Sequence, residues 1–129
     1  MPEFSGQSKG RLLTCTQRLQ DLFNEVVKHW DCTIVEGHRD QKRQYALYQR
    51  GRSRTLNSKH LRWPSLAVDA APYPIDWDDT NRFYAFGGFV LGVASQMDIP
   101  IRWGGDWDSD RQVKDQSFND LAHFEIRET

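Results

Sequence analysis

Four histidines, two cysteines and 18 acidic side chains are the groups of this 129-residue chain best suited to hold a metal or move a proton. Two of the histidines sit in unremarkable places. His29 lies on the polar side of a helix-forming segment, a solvated position, and His38 follows the end of a short β-branched run. His60 and His123 differ in their neighbours. His60 precedes Asp69 by nine residues, across a polar loop and the start of Leu66-Ala67-Val68-Asp69-Ala70. Side chains alternate along a strand, so Leu66, Val68 and Ala70 share the apolar face and Asp69 points to the other. In the final run, Phe124 and Ile126 take the apolar face and turn His123 and Glu125 away from it. Two histidines and one carboxylate are the ligand set of a catalytic zinc, which keeps its fourth position for water. On spacing alone, a small domain without a metal accounts for the same residues.

Asp120 stands three residues before His123, and positions i and i+3 of a regular strand face opposite ways. For Asp120 to work beside the same metal, Asn119-Asp120 must form a turn just ahead of the strand, and such dipeptides favour turns. From there its carboxylate takes a proton from the attacking water and passes it to a leaving amine. Trp103 and Trp107 flank Gly104-Gly105-Asp106. Either the tryptophans pack in the core around a tight turn, or the turn forms a cleft wall with Asp106 or Trp107 near a bound peptide. Cys15 and Cys32 lack metal-binding spacing and are expected as free thiols of a reducing compartment.

The elements that must position these groups follow from periodicity. Thr14 and Gln17 have capping-box spacing, and Leu19, Leu22, Phe23, Val26, Val27 and Trp30 recur at helical intervals. That predicts a first helix and leaves residues 1–12 as a loosely ordered N-terminal segment. Cys32–Glu36 reads as a strand closed by Gly37. Asp40 caps a second helix running to about Arg50, stopped by Gly51, with Tyr45 and Tyr48 facing inward. A polar, basic loop fills 51–64. A third helix begins at Asp79 or Thr80 and turns Phe83, Phe86, Phe89 and Val90 to the core, with Val93 and Met97 beyond. Gly87 and Gly88 inside it imply close packing against a neighbour. Ile99–Trp103 and Ala122–Arg127 supply two more strands. Helices and strands mix without regular βαβ alternation, so the fold class is α+β, in a single domain over 1–129.

Ser58-Lys59-His60, then Ala67-Val68-Asp69, then Asp120-Leu121-Ala122-His123-Phe124-Glu125 together resemble the zinc peptidases of family M15. That family includes D-Ala-D-Ala carboxypeptidases and dipeptidases and the L-alanyl-D-glutamate endopeptidases of phage endolysins. Gly37-His38-Arg39 and Arg102-Trp103-Gly104-Gly105-Asp106-Trp107 resemble two further pieces, and all come in family order across residues 37–125. The resemblance implies a Hedgehog/D-Ala-D-Ala peptidase-like domain, a short antiparallel sheet packed against about three helices. It implies that His60, Asp69 and His123 bind one Zn2+ and that Asp120 is the general base. It further implies that Arg39 steadies the substrate carbonyl or oxyanion and that Ser58 lines the substrate side of the cleft. The sequence departs from the pattern in one place: eight residues separate His60 from Asp69 where the family has six, and Ser65 stands for the family glycine. An insertion containing Trp63-Pro64 lengthens that loop.

The activity the resemblance implies is zinc-dependent hydrolysis of the L-alanyl-D-glutamate bond in peptidoglycan stem peptides. The alternatives are a D,D-carboxypeptidase or dipeptidase of the same family and a non-catalytic wall- or protein-binding module of the same fold. No run approaches the roughly 18 apolar residues of a membrane span, and the N-terminus has no apolar leader segment. An endolysin made in the host cytoplasm and released through a separate membrane pore fits this. The formal charge of −1 excludes binding through a broadly basic surface, so neither nucleic acid nor membrane insertion is expected. A monomer is expected, with recognition left to the cleft. Local charge at Arg50, Arg52, Arg54 and Lys59, hidden by the near-neutral total, lies beside His60.

Overall fold

The structure, a computed structural model, describes residues 2–53, 55–112 and 120–127. In chain order the elements are α1 (Gly6–Leu12), α2 (Gln17–His29), β1 (Cys32–Glu36), α3 (Gln41–Gln49), a 3-10 turn (Lys59–Leu61), β2 (Ala67–Pro72), α4 (Thr80–Gln96), β3 (Ile101–Gly104) and β4 (Asp120–Ile126). The four strands form one antiparallel sheet in the order β1-β2-β4-β3. The α+β class holds, with four helices among the described residues rather than three.

One face of the sheet carries the core. Ile34, Val68, Ala70, Trp103, Phe124 and Ile126 meet Leu19, Leu22, Phe23 and Val26 of α2 and Phe86 and Val90 of α4. Phe124 is the centre of this layer: Phe23 and Phe86 meet its ring edge-on at 5.5 and 6.2 Å, and Trp103 stacks on it at 6.4 Å. Such aromatic pairs add about 0.5–1.5 kcal/mol each beyond the area they bury. Gly87 lies directly under the Trp103 ring, as its place in a helix predicts, whereas Gly88 has open space around it. Phe83 is buried in a smaller cluster with Ala71 and Ala122, and Phe89 packs half-buried on the main core.

Three expectations change. The described part of the N-terminal segment, residues 2–12, is not loose: Ser5 caps α1, and Phe4, Ser8 and Leu12 are buried. The short helix is held by the free edge of β1, where Ser8 Oγ accepts from the Ile34 amide (3.1 Å) and Arg11 donates to the Ile34 carbonyl (3.1 Å). An edge strand needs such cover, and seven residues with little apolar periodicity do not announce it. The cap of α2 is Thr16, not Thr14. Thr14 Oγ1 instead donates to the Arg11 carbonyl and accepts from the His38 amide, tying α1 to the exit of β1. On α3, Asp40 is the cap and Gly51 ends the segment at φ 71°, but Tyr45 and Tyr48 are exposed and Gln44 is the buried residue.

The lengthened loop after His60 runs along the outside. Trp63 is exposed, its ring edge-on to His38 at 5.1 Å, while Ser65 is fully buried and its hydroxyl donates to the Ala67 carbonyl. The two extra residues therefore leave the entry to β2 intact.

The β3–β4 ladder breaks register after Trp103. Trp103 pairs with Phe124 but Gly104 pairs with Asp120, so Leu121, Ala122 and His123 are extra on β4. A Cβ on Gly104 would stand 1.9 Å from the Asp120 carbonyl oxygen. Backbone cannot yield as a flexible side chain can, so Gly104→Ala is expected to cost about 1–3 kcal/mol in urea unfolding. Gly88→Ala, with nothing within 4 Å of the new methyl, should be neutral or stabilise by up to about 1 kcal/mol.

Candidate active site

The sheet face opposite the core carries the polar groups, as strand parity requires. Asp69 on β2 lies across from His123 on β4, and the 3-10 turn brings His60 over them. Ser58 caps that turn, its Oγ accepting from the His60 amide, and the His60 carbonyl accepts from the Arg39 amide at 2.8 Å. Gly37 sets the ring. A Cβ there would stand 2.3 Å from both the Arg11 carbonyl oxygen and Thr14 Oγ1, so only glycine lets the chain pass. Its carbonyl then takes the hydrogen bond from His60 Nδ1 at 2.7 Å.

A carbonyl only accepts, so His60 carries its proton on Nδ1 and presents the Nε2 lone pair to the cleft. His123 is the mirror case. Its Nε2 donates to Glu125 Oε1 at 2.8 Å, which leaves Nδ1 facing inward. Both inward nitrogens lie against one atom, Asp69 Oδ1, at 3.1 and 3.2 Å. With both rings neutral, two lone pairs and a carboxylate oxygen converge with no hydrogen between them. Only a cation, a proton or a metal ion, holds such an arrangement. The three donor atoms all lie within 4.8 Å of one another. Outward nitrogens bonded to a carbonyl and a carboxylate are the usual support of metal-binding imidazoles. The donor set thus fits zinc: two neutral imidazoles and one carboxylate.

Around this centre lies a cleft of about 410 Å³, lined among others by Arg39, Ser58, Trp107 and Asp120. Asp120 is not in a turn ahead of the strand; it is the first residue of β4. The three extra residues in the β3–β4 ladder resolve the parity conflict, letting Asp120 and His123 line one cleft. Asn119 lies outside the described residues. Trp107 forms the wall, its ring 5.3 Å from that of His123, with the Arg102 guanidinium over it at 5.7 Å. Asp106 is absent from that wall: its carboxylate accepts from the Asp110 and Arg111 amides and orders its own loop, beside a separate depression. Trp103 is core. His38 packs on Trp63, outside the cleft, and His29 pairs with Glu25 on the surface. Arg54, part of the expected basic loop, lies outside the described residues.

The electrostatics follow from burial against pairing. Burial opposes the charge on Asp69, but the two histidines overcome it and hold its carboxyl far below the usual range. Burial likewise disfavours the His123 cation, yet the hydrogen bonds it donates to Asp69 and Glu125 push its pKa up to about 9 in the metal-free protein. Glu125, also gripped by Arg102 at 2.8 Å, falls to about 2 despite burial. Asp120 moves the other way: burial and the nearby Asp69 charge raise it to about 6. Sequence reasoning assigned no role to Glu125, Glu36 or Gln44. For Glu125 the signal was present, since it shares the strand face of His123.

The chain matches the family model described as phage L-alanyl-D-glutamate peptidase over residues 2–127. It is similar to the L-alanyl-D-glutamate peptidase of Escherichia phage T5, 28% identical over 122 residues, covering 88% of each chain. It is also similar in fold to the crystal structure of the Serratia marcescens L-Ala D-Glu endopeptidase ChiX. That likeness has a TM-score of 0.77 at 23% identity, covering 97% of this chain and 90% of the other.

The metal-free site makes stability depend on pH with a defined sign. Asp120 is raised from 3.8 to about 6 and His123 from 6.5 to about 9, so both favour the folded state when protonated. Stability is therefore expected to fall as pH rises from about 4 through 6, as Asp120 ionises, and again from 6.5 through 9, as His123 loses its proton. In the chelated protein Tm should drop by at least about 5 °C across the upper window. Added zinc, which needs neutral imidazoles, should reverse that upper loss. A flat Tm profile for the chelated protein between pH 6.5 and 9 would contradict it.

Proposed function

Because the chain belongs to the phage L-alanyl-D-glutamate peptidase family, we propose that its cleft holds one zinc ion on His60, Asp69 and His123, with Asp120 as general base. The protein is a peptidoglycan endopeptidase, a hydrolase of the endolysin type, acting on the bond between L-alanine and D-glutamate. The observation that carries the zinc reading is the convergence of two imidazole lone pairs on Asp69 Oδ1, each ring fixed from behind by Gly37 or Glu125. Zinc bound there supplies a Lewis acid that acidifies water and polarises the scissile carbonyl.

The chain's own residues do the rest. Asp120 takes a proton from the attacking water and delivers it to the departing D-glutamyl amine, while the hydroxyl joins the alanyl carbonyl carbon. Burial favours the protonated form of the Asp120 carboxyl, which suits a group that must accept a proton as well as release it. Arg39 is buried and lines the cleft, a fixed positive charge that steadies the oxygen on which charge develops. Ser58 and Trp107 bound the space the stem peptide enters. The family description and the phage T5 relative both concern the L-alanyl-D-glutamate bond, which favours this reading over release of terminal D-alanine. No helix among the described residues is long and apolar enough to cross a membrane. Synthesis in the host cytoplasm, passage through a separate pore and action as a monomer complete the proposal.

The test is digestion of defined muropeptides with mass analysis of products, alongside metal content. Chelation should abolish cleavage between L-alanine and D-glutamate, and zinc should restore it. Asp120→Ala is expected to keep zinc and fold but lose at least about 100-fold in kcat. Asp69→Ala should lose the metal itself. Activity that persists without metal, or a near-normal rate in Asp120→Ala, would overturn the assignment.

A further inference from the structure

Helix α3 buries a polar side chain where its tyrosines were expected to face inward. Its nine residues leave Tyr45 and Tyr48 exposed and bury Gln44 completely. A buried amide persists where its donors and acceptor are met, and here all are. Gln44 Oε1 accepts from Arg39 Nη1 at 2.7 Å. Gln44 Nε2 donates to Ser53 Oγ at 2.9 Å and to the Thr55 carbonyl at 2.6 Å. Gln44 does not itself line the cleft, whereas Arg39, Ser53 and Thr55 all do. One amide therefore joins the candidate oxyanion arginine to the neighbouring cleft wall.

The Arg39 guanidinium is bound at both ends. Nη1 is taken by Gln44, and Nη2 donates to Glu36 at 2.8 Å and to Asp69 Oδ2 at 3.5 Å. Nε, itself fully buried, has no partner among the described residues, so Nη1 and Nη2 alone fix the group. Without Gln44 the guanidinium would be held at Nη2 alone, by Glu36 and Asp69, and free to swing from its place in the cleft lining.

We propose that Gln44 is a positioning residue: it fixes the Arg39 guanidinium at the cleft and clamps Ser53 and Thr55 beside it as the cleft wall. The proposal rests on the reading of Arg39 as the group that steadies the oxyanion. A displacement of about 1 Å in such a group is enough to cost about 100-fold in rate.

A double-mutant cycle on muropeptide hydrolysis by the zinc-loaded full chain tests it. Gln44→Met, similar in length and without the amide, should lower kcat about 10- to 100-fold while KM changes less than about 3-fold and zinc content is unchanged. In an Arg39→Ala background the same substitution should cost less than about 3-fold, because the group it positions is gone. Gln44→Glu keeps an oxygen for Arg39 and loses the two donors to the wall, so it should recover part of the lost kcat. It also keeps the cycle usable if Gln44→Met melts below the assay temperature. An equal loss in both backgrounds, or full activity of Gln44→Met, overturns the proposal and leaves the zinc site untouched. Full activity of Arg39→Ala overturns the reading of Arg39 and the proposal with it, and absence of any cleavage by the unsubstituted zinc-loaded chain overturns the proposed function.

Discussion

A carboxylate taken out of water must be surrounded by positive partners, and the site is arranged around meeting that demand for Asp69. Its Oδ1 faces the two imidazoles and its Oδ2 faces Arg39. Each partner is then secured in turn, His60 by the Gly37 carbonyl, His123 by Glu125, Arg39 by Glu36 and Gln44. Glu125 is itself paired with Arg102 and Lys59. Removing one member leaves another charge buried and unpaired, the costly case. The cluster is therefore a structural commitment of the sheet as well as the candidate site.

The sheet meets that commitment by using its two faces for different purposes. Phe124 and His123 are neighbours in sequence, yet one is the centre of the aromatic core and the other a candidate metal ligand. Strict alternation would send Asp120 to the wrong side. The three additional residues of β4, accommodated by a glycine on β3, allow one strand to contribute both the candidate ligand His123 and the candidate base Asp120. Bulges that redirect a side chain next to an active site are a recurrent device of sheet proteins.

Alternation was readable from the sequence, and so the placement of Asp69, His123 and Glu125 away from the core was too. The cap at Asp40, the stop at Gly51 and the aromatic stripe of α4 were equally legible, because each depends on local chemistry. What local chemistry could not show was register. The β4 irregularity depends on what Gly104 permits across the ladder, and α1 exists because β1 has an edge to cover. Tyr45 and Tyr48 misled for a related reason: an apolar stripe predicts the buried face only when the core beneath it is apolar. Beneath α3 lies an arginine, and a glutamine answers it.

The two cysteines, each buried, have their thiols pushed up to about 12 by desolvation. At neutral pH about one molecule in 10⁵ carries a thiolate at either position, and the thiolate is the species that attacks disulfides. Sealed inside the core, Cys15 and Cys32 are poor partners in thiol–disulfide exchange, so the hydrolase carries no thiol whose state has to follow the redox poise of its surroundings.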